Sequence, residues 1–542
     1  MRGTVAAVAG LGVLAAIALC SAGSRVAPLM AQDQPKVEPK TELKRIELTE
    51  PGVYKDSDCL YVMTQDIVAT GCGFTFEGNR CVVDLDGHTL TFNTEPYPAP
   101  AKPQPGYGTA PWGIALAGDG IELRNGTILQ GAGKTEGAVC VFLPNAKERN
   151  LNIHHLSAFV DGRLAACVFG KWGGTNVELH DNYLVCADDC LARGINLYEV
   201  GTGWDIHHNT IVGGHTGIGV GGRRDKEDIR IHHNYISHRR TRQQKTPQGI
   251  QMNASGIEVD HNEIVSIEGR GLNNNAGGNN DFHHNIVDVR YSLKAEGGFY
   301  PENRCYGYWS RNPEGNRITD NLFVVNNEIT GDDASGSIGI LLTTDVGREA
   351  PMRNCTITGN RLFVRHSDKA RYAAGFELTH VGDQVVVKDN WVWAGTAAVV
   401  VNDQSRGAVV EGNTFVKADE KWQEAEPAFE SKGEGLKQCS IKGNKIVPPP
   451  DDKVPPAAPA GLAVTRRFNG YELHWDANKE DDVLGYYVYR DGKRVEDRMK
   501  CGRFYVDTSM DPKNTCVYAI SAVDLSGNEG PKGAPVSTAA AK

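Results

Sequence analysis

The sequence predicts an all-β solenoid, a chain wound into stacked coils, that is followed by a small β-sandwich. Three observations predict it: short stretches that alternate apolar and polar residues, an Asn after each stretch, and a repeat about one coil long. The first five repeat Asn residues, from Asn182 to Asn285, are separated by steps of 23 to 28 residues. Repeats of this length that hold several short strands are typical of a parallel β-solenoid.

The repeat unit is a strand, a polar pair, an Asn and a second strand, as in WDIHHNTIV, IRIHHNYIS and IEVDHNEIV. Alternation places Ile229 and Ile231 inside the coil, and Arg230 and His232 outside it. We expect each Asn to adopt a left-handed turn and to hydrogen-bond to the Asn one coil away, at a strand spacing of about 4.8 Å. The repeat Asn residues are Asn182, Asn209, Asn234, Asn262, Asn285, Asn321, Asn360, Asn390, Asn413 and Asn444.

The N-terminal stretches CVVDLDGHTLTF and GIELRNGTILQG have the same order of strand, turn and strand. They resemble the opening coils of right-handed parallel β-helix proteins, the pectin-lyase-like superfamily. The resemblance covers residues 46–447 and implies that fold. Because the fold hosts lyases, hydrolases, epimerases and adhesins, the resemblance implies no single activity.

Changes in composition divide the chain into five segments. Residues 1–31 contain one Arg in front of an apolar run shorter than the roughly 20 residues that span a bilayer, which predicts a secretory signal peptide. A linker at 32–45 leads into the β-helix at 46–447, and the stretch PPPDDKVPPAAPA at 448–460 predicts a stiff linker. Residues 461–542 resemble a fibronectin type III module, with Trp475 in its core.

Charge and cysteine content narrow the class of protein. The net charge of −10 argues against a general nucleic-acid binder, which usually has a basic surface. No later segment is apolar enough to span a membrane, so we expect the protein to be secreted or held in the cell envelope. We also expect it to be a monomer. Export permits disulfides. Cys186 and Cys190 are expected to pin the turn between them, and Cys501 and Cys516 either pair or stay free.

Side chains that recur at coil spacing form two predicted columns. The outer column lies just before the Asn, and the ionisable column lies six positions after it, counted from His155 in the coil before Asn182. For the outer column we favour a solvated polar ladder over a metal site, because clustered carboxylates or thiolates are missing from each coil. We therefore expect no metal and no cofactor. The outer column contains His154, His180, His207, His232, Asp260 and His283, and the ionisable column contains Asp161, Asp188, His215, Arg240 and Glu268.

Ionisable groups packed together on successive coils suit acid–base chemistry or cation binding. The stretches FVDGRL, CADDCLA and GGHTGIGVGG also resemble three successive signatures of the polygalacturonase family of glycoside hydrolases. The resemblance implies Asp161, Asp188, Asp189 and His215 as catalytic residues. The match is partial, because QGIQMN stands where that family has a basic pair that binds the substrate carboxylate.

Glycoside hydrolysis needs one carboxylic acid to protonate the leaving oxygen and one carboxylate to activate water. We expect Asp188 to be the acid, Asp161 and Asp189 to hold the water, and His215 to orient them or relay protons. The basic stretch SHRRTRQQK is either a solvated loop or a site for sugar carboxylates or sulfates. Its candidate substrate-binding residues are Arg239, Arg240, Arg242 and Lys245, and Glu268 is a further candidate.

The aromatic loop EGGFYPENRCYGYWSRNPEG, at 296–315, predicts either a groove wall or a small core of its own. In the groove interpretation Tyr300, Tyr308 and Trp309 bind a polysaccharide that is acidic or neutral. Two other classes of function remain open. A polysaccharide lyase or epimerase would hold Ca²⁺ through the aspartates, and a non-catalytic adhesin would bind glycans without cleaving them.

Overall fold

The structure, a computed structural model, describes most of the chain from residue 43 onwards. The described ranges are 43–98, 111–144, 149–172, 174–187, 191–199, 201–222, 226–238, 247–291, 304–311, 314–329, 335–344, 351–368, 372–402, 404–417, 429–432 and 434–540. The predicted signal peptide and nearly all of the N-terminal linker lie outside the described residues.

Two long parallel sheets form a β-helix, which confirms the predicted fold class. One sheet has 27 strands and the other has 14, and every described pairing within them is parallel. The 27-stranded sheet consists of two ladders, because the strands Glu122–Gln130 and Arg149–Val160 run through both. Each coil therefore has three faces: the first ladder, the second ladder and the 14-stranded sheet.

Each of the three faces is built from strands that follow one another in chain order. The first ladder contains Lys44–Leu48, Cys59–Met63, Val82–Asp84, the two shared strands, Thr175–His180, Trp204–His207, Lys226–His232, Ser255–Asp260, Asp281–His283, Arg317–Thr319, Thr356–Thr358, Val386–Lys388, Val409–Glu411 and Ser440–Lys442. The second ladder contains the two shared strands with Ile67–Val68, Thr89–Phe92, Tyr183–Cys186, Thr210–Val212, Tyr235–Ser237, Glu263–Ile267, Ile286–Tyr291, Leu322–Asn327, Arg361–His366, Trp391–Ala394, Thr414–Lys417 and Lys445–Val447. The 14-stranded sheet contains Gly52–Tyr54, Phe74–Phe76, Trp112–Leu116, Val139–Leu143, Ala166–Lys171, Arg193–Tyr198, Thr216–Gly221, Gln248–Met252, Arg270–Asn274, Arg304–Arg311, Gly336–Thr343, Tyr372–Leu378, Ala397–Asn402 and Phe429–Lys432.

The core runs along the axis of the coils. Ile229 and Ile231 are buried while Arg230 is exposed, as the alternation predicts. A column of glycines lets the 14-stranded sheet approach the second ladder closely. A Cβ added at Gly249 would lie 2.3 Å from the Cγ2 atom of Ile264, so a larger residue would push the two sheets apart.

The Asn residues form the predicted ladder, with Nδ2 of each donating to Oδ1 of the next. The distances are 2.9 Å from Asn182 to Asn209, 2.9 Å from Asn209 to Asn234 and 3.0 Å from Asn234 to Asn262. The same bond continues from Asn262 through Asn444. One detail of the prediction is wrong: the residue before the Asn takes the left-handed turn, as His233 does with φ of 53°.

The C-terminal strands form an antiparallel β-sandwich. Its three-stranded sheet contains Ala463–Arg467, Gly470–His474 and Phe504–Asp507, and its four-stranded sheet contains Val483–Arg490, Lys493–Arg494, Val517–Asp524 and Val536–Ser537. Short 3₁₀ turns occur at Gly435–Gln438 and Thr538–Ala540. Trp475 and Tyr518 are buried in the sandwich core. Cys501 and Cys516 are both free thiols, so the two residues do not form a disulfide.

The sandwich packs against the outer side of the second ladder. Arg503 donates from Nε to Glu263 at 2.8 Å, and Arg498 pairs with Glu268 at 3.5 Å. Tyr235 contacts Phe504, with ring centroids 4.8 Å apart. This interface covers the middle part of one of the three faces of the β-helix, from Tyr183 to Arg361. Among the described residues, no helix is long and apolar enough to cross a membrane.

The Asn ladder generates the first prediction. Asn234 is fully buried, and its side chain accepts from Asn209 and donates to the carbonyl of Ile206. Asn234→Ala leaves those buried groups without partners, at a cost of about 1–3 kcal/mol for each. We expect the free energy of unfolding to fall by about 3–5 kcal/mol in urea denaturation. The control Asn444→Ala, in the last coil where the side chain is partly exposed, should cost about 1 kcal/mol. Equal losses would contradict this account.

His238 generates the second prediction. It is 4% exposed, neither ring nitrogen bonds to any residue that the structure describes, and burial lowers its pKa to about 3. An unfolded His titrates near pH 6.5, so the unfolded state binds more protons below that pH. Stability should therefore fall as the pH drops from 6.5 towards 3, by about 2–3 kcal/mol between pH 6.5 and 4.5. His238→Leu should reduce that slope in melts at several pH values, whereas His88→Asn should leave it unchanged.

Candidate functional site

The outer side of the 14-stranded sheet carries a polar patch across four neighbouring strands. The strands Arg193–Tyr198, Thr216–Gly221, Gln248–Met252 and Arg270–Asn274 pair in register. Each has the pattern of an outward residue, a Gly, a core residue and a second outward residue, as in RGIN and QGIQ. The polar patch consists of Arg193, Asn196, Thr216, Gly219, Gln248, Gln251, Arg270 and Asn273.

The polar patch is recessed and holds charge. Thr216, Asn273 and Arg270 are at most 5% exposed, and Arg193 and Gln251 are half-buried. Nη1 of Arg193 donates to Oδ1 of Asn196 at 2.9 Å. A Cβ at Gly219 would lie 2.7 Å from that same Nη1, so the missing side chain of Gly219 leaves room for the guanidinium.

Two buried amide oxygens in the polar patch lack partners. Nδ2 of Asn273 donates to Oε1 of Gln248 at 2.5 Å. Oδ1 of Asn273 and Oε1 of Gln251 are buried, and neither accepts a hydrogen bond from any described residue. A buried oxygen without a partner costs about 1–3 kcal/mol. A ligand that displaced the neighbouring side chains would find two oxygens that can accept hydrogen bonds.

Aromatic side chains border the polar patch on both sides along the coil axis. On the N-terminal side Phe142 and Phe169 stack with centroids 5.9 Å apart. On the C-terminal side the guanidinium of Arg270 lies 4.2 Å from the ring centroid of Trp309 and 5.5 Å from that of Tyr306. Such a cation–π contact holds the guanidinium plane in place.

Two of the four predicted catalytic residues are described, and both lie in turns that enter the 14-stranded sheet. His215 directly precedes the patch strand Thr216–Gly221, is 8% exposed, and has Nδ1 2.9 Å from the hydroxyl of Thr216. Asp161 lies two coils earlier and pairs with Lys134. The backbone nitrogen of Asp161 donates to Oε1 of Gln130 at 2.9 Å, which holds the turn.

Several predicted residues lie outside the described residues, so their placement stays a prediction. These are Asp188, Asp189, Arg239, Arg240, Arg242, Lys245 and Tyr300, together with Cys190. Cys186, before the predicted pair, is a buried free thiol, and its pKa is raised by a hydrogen bond with Cys167 and by burial.

Glu268 departs from the predicted ionisable column. The pairing register shifts between Ile264 and Ile267, which adds a residue to this strand. Glu268 lies six positions after Asn262, as His215 lies six positions after Asn209. Because of the extra residue, the two side chains nevertheless do not align. Glu268 is 4% exposed and pairs with Arg498 of the sandwich. Its carboxylate thus helps to hold the two domains together, which argues against its predicted contact with substrate.

The predicted aromatic wall is largely a small core. Tyr308 is fully buried in the β-helix, accepts a hydrogen bond from Asn316 at 3.3 Å, and packs edge-on against Phe282. Its ring cannot reach a sugar, so the prediction of substrate binding is corrected for this residue. Trp309 is 7% exposed and packs in a separate cluster with Leu341. The described part of the loop therefore matches the predicted small core and not the predicted groove wall.

Sequence reasoning missed the polar patch itself. The signal was the repeated pattern RGIN, TGIG, QGIQ and RGLN at residues 193, 216, 248 and 270. In each stretch the first and fourth residues face outward and the Gly packs against the second ladder. Gln251 stands where the polygalacturonase pattern has a basic residue, whereas the basic residues of the polar patch, Arg193 and Arg270, lie on neighbouring strands.

Comparisons with known proteins find distant structural similarity alone. No protein-family model matches the chain, and no curated protein sequence matches it. Among solved structures, the tailspike protein of E. coli bacteriophage HK620 in complex with pentasaccharide is 10% identical, with a TM-score of 0.41 over 91% of this chain and 84% of that chain. A double mutant of that tailspike with pentasaccharide has 11% identity, a TM-score of 0.42 and the same coverage. Similarity at this level carries no argument about activity.

Proposed function

We propose that this protein binds an acidic polysaccharide along the outer side of the 14-stranded sheet and hydrolyses it. The observation that carries the proposal is the recessed polar patch, which combines two guanidinium groups with two unpartnered amide oxygens. Guanidinium groups bind carboxylates and sulfates through paired hydrogen bonds. Amide oxygens accept hydrogen bonds from hydroxyl groups. An acidic sugar offers both kinds of group.

The turn residues supply the proposed chemistry. Hydrolysis of a glycosidic bond needs a proton donor and a carboxylate that activates water. Asp161 and His215 lie in the turns that lead into the patch strands or their neighbours, which supports a role for them beside a bound chain. Asp188 follows Cys186 in the coil between them, and the sequence favours it as the general acid. Lys134, which pairs with Asp161, would be displaced or retained as the substrate enters.

The sandwich is proposed as a fibronectin type III-like support for the β-helix. Its seven strands in sheets of three and four support this resemblance. Its packing against the second ladder leaves the 14-stranded sheet for the polysaccharide. We infer that the protein acts outside the cytoplasm, because its N-terminal segment has the composition of a secretory signal.

Gly219 offers a sharp test of the binding site. Gly219→Ala places a methyl group against Nη1 of Arg193, a flexible side-chain end that can move aside, so the fold should be kept and the guanidinium displaced. Loss of a charge-assisted hydrogen bond costs about 1.5–3 kcal/mol, so affinity for uronate or sulfated oligosaccharides should fall about 10-fold to 100-fold. Calorimetry with acidic and neutral polysaccharides measures this.

The matched control is Gly221→Ala in the same strand, where the added Cβ meets its first neighbour at 3.6 Å. It should bind as the wild type does. Arg193→Ala should lose affinity as Gly219→Ala does. Equal binding by all four proteins would show that the polar patch is not the polysaccharide site.

Asp161 and Asp188 test the chemistry. Asp161→Asn and Asp188→Asn should each lower the rate of cleavage about 10²-fold to 10⁴-fold, the usual contribution of acid–base catalysis. Asp389→Asn, an exposed carboxylate on another face, should keep full activity. Reducing ends and unsaturated ends are both scored on a substrate found by the binding screen.

The products separate the classes of function. New reducing ends without unsaturated sugars support hydrolysis. Unsaturated products that disappear on adding a chelator would assign the aspartates to Ca²⁺ binding in a lyase. Tight binding without any cleavage would make the protein a glycan-binding β-helix and would refute the catalytic proposal.

A further inference from the structure

The outer corner of the first ladder carries a histidine array that the proposed polysaccharide site does not use. Of the 16 histidines in the chain, ten stand here on six successive coils. Each coil contributes the two residues before its Asn, or before Leu156 in the first coil, as one level of the array. The levels are His154 with His155, His180 with Asp181, His207 with His208, His232 with His233, Asp260 with His261, and His283 with His284.

In four levels the two histidines hydrogen-bond to each other through Nδ1, and a bound metal ion would replace the proton that they share. The Nδ1–Nδ1 distance is 2.7 Å in His154–His155, 2.8 Å in His207–His208, 2.9 Å in His232–His233 and 3.0 Å in His283–His284. In the other two levels a carboxylate replaces one ring, and His180 lies 2.8 Å from Asp181. Every level therefore brings two ligand atoms to one point.

Carboxylates on the strand orient the inner ring of each histidine pair. Nε2 of His232 lies 2.8 Å from Asp205, and Nε2 of His283 lies 3.1 Å from Glu258. Glu122 and Glu178 do the same for His154 and His207, at 3.2 and 3.4 Å. A carboxylate only accepts hydrogen bonds, so it holds the proton on Nε2 and leaves the lone pair on Nδ1. This carboxylate–histidine arrangement is the one that commonly supports a metal ligand.

The separation of the two nitrogens selects the kind of metal. Ligands about 2.0–2.1 Å from a metal and 2.7–3.0 Å from each other subtend an angle of about 80–95°. That angle fits neighbouring positions of a square-planar or tetragonal ion, such as Cu²⁺ or Ni²⁺. A tetrahedral Zn²⁺ site would need its nitrogens about 3.3–3.4 Å apart.

The array is also preorganised. The outer residue of each histidine pair has a left-handed backbone, with φ of 53° at His208 and His233. The Asn ladder directly behind fixes that turn. Successive rings stack, with centroids 4.9 Å apart for His180–His207 and His207–His232.

The level at Asp260 is different. Asp260 is fully buried and accepts two hydrogen bonds at 3.0 Å from Arg230. The guanidinium already neutralises this carboxylate and would repel a cation. No guanidinium group that the structure describes hydrogen-bonds to a ring nitrogen of the four histidine pairs, so these pairs are the better sites.

We propose that the histidine array binds Cu²⁺, with Ni²⁺ as a weaker alternative, through the paired Nδ1 atoms of its four His–His levels. Water completes the coordination on the exposed side. Ions at the neighbouring levels His207–His208 and His232–His233 lie about one coil apart, near 5 Å. The array faces away from the polar patch, so metal binding and polysaccharide binding are independent.

The test is titration of the full-length mature protein with Cu²⁺, followed by calorimetry and electron paramagnetic resonance. We expect up to four tight sites per chain, with a tetragonal signal split by two equivalent nitrogens. A magnetic interaction between ions at neighbouring levels should broaden that signal at high loading. A chain that takes up no more Cu²⁺ than a protein without paired histidines overturns the proposal.

Variants locate the sites. His208→Gly and His233→Gly together should remove two of the four sites, and the glycines suit the left-handed turn, where the chain itself has Gly359 and Gly412. His208→Gly alone should abolish the broadening. If the inner variants unfold at a lower temperature than the wild type, His155→Gly at the end of the array tests the site count instead. His88→Asn should change nothing. An unchanged site count in the folded double variant places the metal elsewhere and refutes the assignment.

Discussion

The hydrogen bond between one buried Asn side chain and the next governs the rest of this structure. The side chain of Asn234 satisfies the backbone of two coils at once, since its Nδ2 donates to the carbonyls of Ile206 and His232. The bond is made only when neighbouring coils are in register. Because a slip of one residue would turn every side chain to the opposite face, the ladder also determines which residues meet along the outside.

Because the coils are in register, each of the three faces aligns a different set of side chains. The first ladder aligns the histidine array, the second ladder receives the sandwich, and the 14-stranded sheet aligns the polar patch. The sandwich covers Glu263 and Glu268, whose carboxylates pair with Arg503 and Arg498. Taking these charges out of water is costly, and each arginine offsets that cost for its partner. The faces that remain uncovered hold the side chains suited to ligands.

Buried polar groups distinguish those faces from a purely structural solenoid. Most buried polar atoms here are paired, as in the Asn ladder. Gln251 and Asn273 each retain a buried oxygen without a described partner, and His238 retains two such nitrogens. A fold built only for stability would place apolar side chains at such positions. Under the proposed function, a bound polysaccharide would supply partners for the unpaired oxygens in the polar patch.

The sequence by itself determined the fold class, the inward and outward residues, and the Asn ladder, because alternation and a constant repeat express local geometry. It also aligned His154, His180, His207 and His232. It could not place Glu268, since a register shift at Ile264 is visible only against the paired strand. Nor could it show Tyr308 in the core or the second ladder under the sandwich. Those features depend on contacts between residues far apart in the chain, and only the tertiary structure decides which of them form.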